Sequence, residues 1–214
     1  MNLDEQKTQI FEQALKDIPF DGWSIDVFEK AATDLRFEKE IIPALFPKGN
    51  ADILDFFATW TDEKMMESLS SVTIEDLKVR ARIRIAVEKR IEILTPYKEV
   101  VQHSFKKLRS PNHARLSTSI MWRTSDRIWN WAGDEATDYN KYTKRGLLSG
   151  VIGSTFIYWL NDDSDDAKKT KIFLNNRIEN VLFVGKNIGK IVKPLESIFK
   201  NFIVPNIKSK TEKA

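Results

Sequence analysis

The 214-residue chain carries a formal net charge of +3, 42% hydrophobic residues and no cysteine. That length suits one domain, or one with a small appendage, and the apolar content is enough for a full core; the lack of cysteine excludes disulfides and thiolate metal sites. Residues 1–7 have neither the apolar run of a secretory signal nor the Arg-rich, acid-poor character of a transit peptide, which predicts a cytoplasmic protein in a bacterial-type setting.

Residues 3–17 predict a helix, with Leu3, Ile10, Phe11, Ala14 and Leu15 near helical spacing. Pro19 ends it, and Ser24 caps a helix over 25–35. Short helices over 38–44 and from Asp52 follow, and three short helices in the first third suggest a helix-turn-helix. Its second helix would read Glu38-Lys39-Glu40-Ile41-Ile42. Two acids around one lysine repel phosphates, so a scaffold is favoured over a DNA reader. Leu77, Ile83, Val87, Ile91 and Leu94 mark a long helix ending at Thr95-Pro96. Its run of Arg80, Arg82, Arg84, Lys89 and Arg90 reads as a solvated face, with contact to lipid phosphates as the alternative. Further helices are predicted over 97–108 and 115–132, the second capped by Gly133. The two histidines, His103 and His113, lack the Glu-x-x-His spacing of di-iron bundles.

The central stretch, 138–160, is polar up to Arg145 and uncharged from Gly146 to Leu160. Fifteen residues rise about 22 Å, too short for a hydrocarbon core of about 30 Å. A buried core helix is therefore expected. Gly146, Gly150 and Gly153 would admit a close helix or leave room for a ligand. Four of the six tryptophans, Trp122, Trp129, Trp131 and Trp159, lie in this region. An apolar cavity bordered by the central helix is expected, with Trp122, Leu147, Val151 and Phe156 near it. Asn161 to Asp166 lacks the glycine and terminal glutamate of a calcium loop and reads as the start of a helix over 165–183. From Lys186 onward, seven lysines and two glutamates give +5, leaving −2 for the rest. There Ile191, Leu195, Ile198, Phe199 and Phe202 make an apolar stripe flanked by Lys190, Lys193 and Lys200, the pattern of an interfacial amphipathic helix.

Trp129-x-x-Ala132-Gly133-Asp134-x-x-Thr137-Asp138, Tyr142-Thr143-Lys144-Arg145 and Trp159-Leu160-x-Asp162-x-Ser164 together resemble the Coq-nine family of ubiquinone-biosynthesis proteins. Phe173-Leu174-x-x-Arg177-Ile178 and Leu45-Phe46-Pro47 extend the likeness from about Phe20 to Gly185. The resemblance implies an all-α, TetR-like fold that binds isoprenoid lipid as a non-enzymatic accessory to a di-iron demethoxyubiquinone hydroxylase. It also implies a hydroxylase surface over Asp138, Lys141, Tyr142 and Arg145, although the family commonly has tryptophan where this chain has Lys141.

The expected architecture is one all-α, TetR-like lipid-binding domain over 1–185, with a helix-turn-helix-like segment, and a basic amphipathic membrane-binding tail over 186–214. The expected function is to take an isoprenoid quinone intermediate from the bilayer and present it to the hydroxylase at the cytoplasmic face of the inner membrane. A homodimer is expected. No catalytic residue, metal, other cofactor or nucleic-acid partner is. Two alternatives stay open: a TetR-like DNA-binding regulator with a lipid-sensing pocket, and a structural membrane adaptor.

Overall fold

The computed structural model describes residues 2–137 and 139–181. Helix α1 (Leu3–Ala14) starts on a capping box. The Asn2 side chain accepts the Glu5 N–H at 2.8 Å while Glu5 accepts the Asn2 N–H at 3.1 Å. Such reciprocal bonds satisfy donors that the first turn leaves free. A one-turn helix α2 (Ile18–Asp21) follows, and Ser24 caps α3 (Ile25–Asp34) by accepting the Val27 N–H. Helix α4 is Ile41–Leu45 and α5 is Asn50–Leu69. Phe11 sits at 0% exposure among Phe28, Phe56, Phe57 and Trp60, with ring centroids 5.1–6.3 Å away. Phe46 of the Leu-Phe-Pro motif joins the same cluster against Phe28 and Phe56.

Helix α6 (Val79–Leu94) ends in a 3-10 turn at Thr95–Tyr97, and α7 is Lys98–Leu108. Helix α8 (Ala114–Trp131) packs along α9 (Tyr139–Leu160), and α5 packs on both α6 and α8. A 3-10 turn at Asp165–Ala167 leads into a helix, α10, described over 168–181. The domain boundary at 185, the amphipathic tail and its residues Lys190, Ile191, Lys193, Leu195, Ile198, Phe199, Lys200 and Phe202 lie outside the described residues, as does Asp138.

Two expectations need correction. The central helix is not wrapped on every side: Ile157 is 50% exposed and Gly146 and Gly150 are exposed. Among the described residues, nothing stands within 4 Å of where a Cβ would lie on Gly146, Gly150 or Gly153, so no described helix requires these glycines. The basic run on α6 is not a uniformly solvated face either. Arg90 is buried, and Arg82 donates to the carbonyls of Leu77 and Ala132, both at 2.9 Å. Among the described residues, no helix is long and apolar enough to cross a membrane.

Candidate ligand cavity and the α8–α9 corner

A cavity of about 260 Å³ lies between α5, α6, α7, α8 and α9. Phe57, Leu94, Val101, Ile120, Met121 and Phe156 supply much of its apolar wall, and Gly153 and Ile157 bring α9 to it. The wall hydroxyls are already committed. Thr61 donates to the Phe57 carbonyl, Ser104 to Val101, and Ser117 to Leu108 and His113. Arg90 also borders the cavity and is paired with Asp62, which is fully buried. Thr124 donates to both oxygens of that carboxylate at 3.0 Å. Burial pushes the Arg90 guanidinium below its ordinary value, against the opposing pull of Asp62.

Of the side chains expected near a cavity, Phe156 lines it. Val151 is in the core, Leu147 is half-buried, and Trp122 stacks outward on Tyr142 with centroids 5.9 Å apart. The cause is helical register. At 3.6 residues per turn, Val151 points roughly 160° away from Gly153, so the stripe through 147 and 151 faces away from the stripe that meets the cavity. Arg90 was missed because it sits in a run of cations. The available clue was its phase on α6, one residue before Ile91 and four before Leu94 on the apolar side.

A second hollow, of about 390 Å³, is bounded by Glu88, Glu92, Lys98, Asp162 and Asp166. Ile91, Trp159 and Leu174 line it as well, and its Asp162 carboxylate is saturated. Asp162 accepts from the N–H and hydroxyl of Ser164 (2.9 and 2.7 Å) and of Thr170 (2.8 and 2.6 Å). Desolvation opposes that charge, yet these bonds hold it well below the usual carboxylate range. Asp162 is thus a connector between α9 and α10. Among the described residues, no cluster of His, Cys, Asp or Glu could hold a metal ion.

The other dense site is the corner between α8 and α9. Gly133, at φ +86°, closes α8: its N–H donates to Asn130 and the Asp134 N–H to Trp129. This is the paired-bond C-terminal motif that favours glycine. A side chain there would also meet Arg82 at 3.1 Å. Arg145, only 1% exposed, donates to Asp126 (2.5 Å), Asp134 (3.0 Å), Asn130 (3.1 Å) and the Lys141 carbonyl (3.2 Å). Burial disfavours its charge, but the bonds to Asp126 and Asp134 outweigh that and raise its pKa. Lys144 pairs with Asp134 at 2.5 Å, and the Trp129 indole N–H donates to the Lys144 carbonyl at 3.0 Å. Arg145 therefore faces inward and is not available to a docking partner, which corrects its place in the expected hydroxylase surface. Lys141 is half-buried and Tyr142 is 61% exposed.

The fold these helices form is that of TetR-type proteins. A TetR transcriptional regulator from Nitrosomonas europaea superposes with a TM-score of 0.68 over 84% of this chain and 99% of its own, at 16% identity. Residues 114–185 match the COQ9 family model. The mitochondrial ubiquinone biosynthesis protein COQ9-A of Xenopus laevis is 27% identical over 94% of this chain and 65% of its own length. The human mitochondrial ubiquinone biosynthesis protein COQ9 is 26% identical over 91% and 63%. The chain is thus similar to COQ9 proteins over most of its own length, and it spans about 65% of the length of the Xenopus relative it matches.

Proposed function

We propose that this chain is a non-catalytic lipid-binding accessory of ubiquinone biosynthesis that holds one end of an isoprenoid quinone intermediate in the α5–α9 cavity. The observation that carries the reading is the apolar cavity itself, opened on the α9 side by a glycine. Its volume of about 260 Å³ lies just under the ~300–1,000 Å³ of typical small-molecule pockets, so a long isoprenoid ligand would leave most of its tail outside. Relatives named for ubiquinone biosynthesis support the pathway. The competing DNA-regulator reading is disfavoured by α4. It is five residues long, two of them, Ile42 and Leu45, face the core, and Glu38 and Glu40 precede it.

The test is organic extraction of the natively purified protein followed by mass spectrometry, run beside Gly153→Leu. A side chain at 153 meets open space and replacing a helical glycine gains up to about 1 kcal/mol. The variant is expected to unfold no earlier than the parent while carrying less than a fifth as much isoprenoid quinone. A parent protein that yields no isoprenoid, or a variant that carries as much as the parent, refutes the reading.

The reading includes a di-iron hydroxylase that docks on Tyr142 and Lys141, a homodimer, and membrane attachment through residues 186–214 at the cytoplasmic face. Tyr142 and Trp122 offer two stacked, part-exposed rings, at 61% and 36% exposure, and aromatic anchors dominate interface energetics. Tyr142→Ala is expected to weaken hydroxylase binding in titration calorimetry by tenfold or more, and Lys141→Ala by less. Equal affinity of both folded variants and the parent would move the docking surface elsewhere.

A further inference from the structure

We infer that the ligand enters the cavity ring first, and that Arg90 recognises a neutral carbonyl or ether oxygen at its buried end. This rests on the proposal that an apolar ligand occupies the cavity. Arg90 is 4% exposed, and its Nη1 is committed to Asp62, but its Nε, equally buried, meets no hydrogen-bond acceptor among the described residues. Leaving a buried charged donor unmade is costly, and a ligand oxygen beside it removes that cost. The wall hydroxyls cannot play this part, since each donates to a main-chain carbonyl. A hydrocarbon tail would leave the Nε as it stands.

The surroundings also select the charge of the ligand atom. Asp62 faces Arg90, Asp55 binds Arg123 at 2.8 Å, and Arg123 lies 3.9 Å from Asp62. Arg90 and Arg123 already have carboxylate partners in Asp62 and Asp55, so a ligand carboxylate would be repelled by Asp62 and bring a further charge into the core. A neutral acceptor brings none. The Phe156 ring, 5.7 Å from the guanidinium carbon, gives the inner end of the cavity an aromatic wall against which a flat ring can lie.

The experiment uses the full chain and two probes of matched shape: geranyl-1,4-benzoquinone and geranylbenzene, the latter without the oxygens. Affinities are measured by calorimetry for the parent and for Asp62→Leu/Arg90→Met, which removes both charges together. The quinone is expected to bind the parent on the order of tenfold more tightly than the hydrocarbon, and the preference is expected to vanish in the double variant. Equal affinity of the two probes for the parent overturns the ring-first inference and leaves the lipid-binding proposal standing. Failure of both probes to bind the parent overturns both. A quinone preference kept by the folded double variant overturns the role of Arg90.

Discussion

Arg145→Ala is expected to cost about 3–5 kcal/mol of unfolding free energy, the range for breaking a buried ion pair by removing one partner. Four bonds are lost at once, to Asp126, Asn130, Asp134 and the Lys141 carbonyl. Among the described residues, Asp134, whose side chain is 4% exposed, keeps only Lys144 as a cationic partner. Lys144→Ala is expected to cost less, because its side chain is 39% exposed and solvent screens the pair. The difference between parent and Arg145→Ala also depends on pH. Burial raises the Asp134 pKa, but bonds from Lys144 and Arg145 more than offset this and hold it below the usual carboxylate value. A depressed folded pKa gives stability that is complete above the unfolded value of about 3.9 and is lost as pH falls through the folded one. The gap between the two proteins should be constant above about pH 5 and narrow below about pH 4. Urea unfolding at pH 7 and pH 3.5 measures it. A loss under about 1 kcal/mol at pH 7, or a gap that widens in acid, would show that the corner is held by packing instead.

Arg145 also explains what was legible in the sequence. The helices over 25–34, 79–94, 98–108 and 114–131 follow from apolar periodicity and from punctuation by Ser24, Pro96 and Gly133. Those signals are local, and local bonding decides where a helix begins and ends. The family motifs were legible too, but much of what they encode is architecture. Gly133 turns the chain, Arg145 ties α9 to α8, Asp162 starts the next segment, and Leu174 is fully buried. The cavity was only half legible. That α9 borders one could be read from its glycines, but the face it presents depends on rotation about the helix axis, which neighbouring helices set. Trp122 and Arg90 are mirror-image errors for the same reason. A tryptophan near the core and an arginine in a basic run look decided by type, whereas the phase of α8 and α6 against their neighbours turns one outward and the other in.

The Asp62–Arg90 pair separates stability from recognition. Asp62→Ala is expected to cost about 3–5 kcal/mol, since it leaves the Arg90 guanidinium buried without a counter-charge. Asp62→Leu/Arg90→Met should recover most of that loss. An apolar pair of similar volume avoids the desolvation of two charges, and such replacements are often neutral or stabilising. Thr124, which donates to Asp62, can turn to the carbonyl four residues back on α8. Arg123 keeps its bonds to the Asp55 side chain and carbonyl. Urea denaturation of the parent, the single and the double variant compares the three at one pH. If the double variant recovers, the charged pair adds little to stability, and its place on the cavity wall calls for a ligand with something to offer Arg90. A double variant as unstable as Asp62→Ala would mean the opposite. The pair would then be a structural tie between α5 and α6, and its position beside the cavity would carry no information about what the cavity holds.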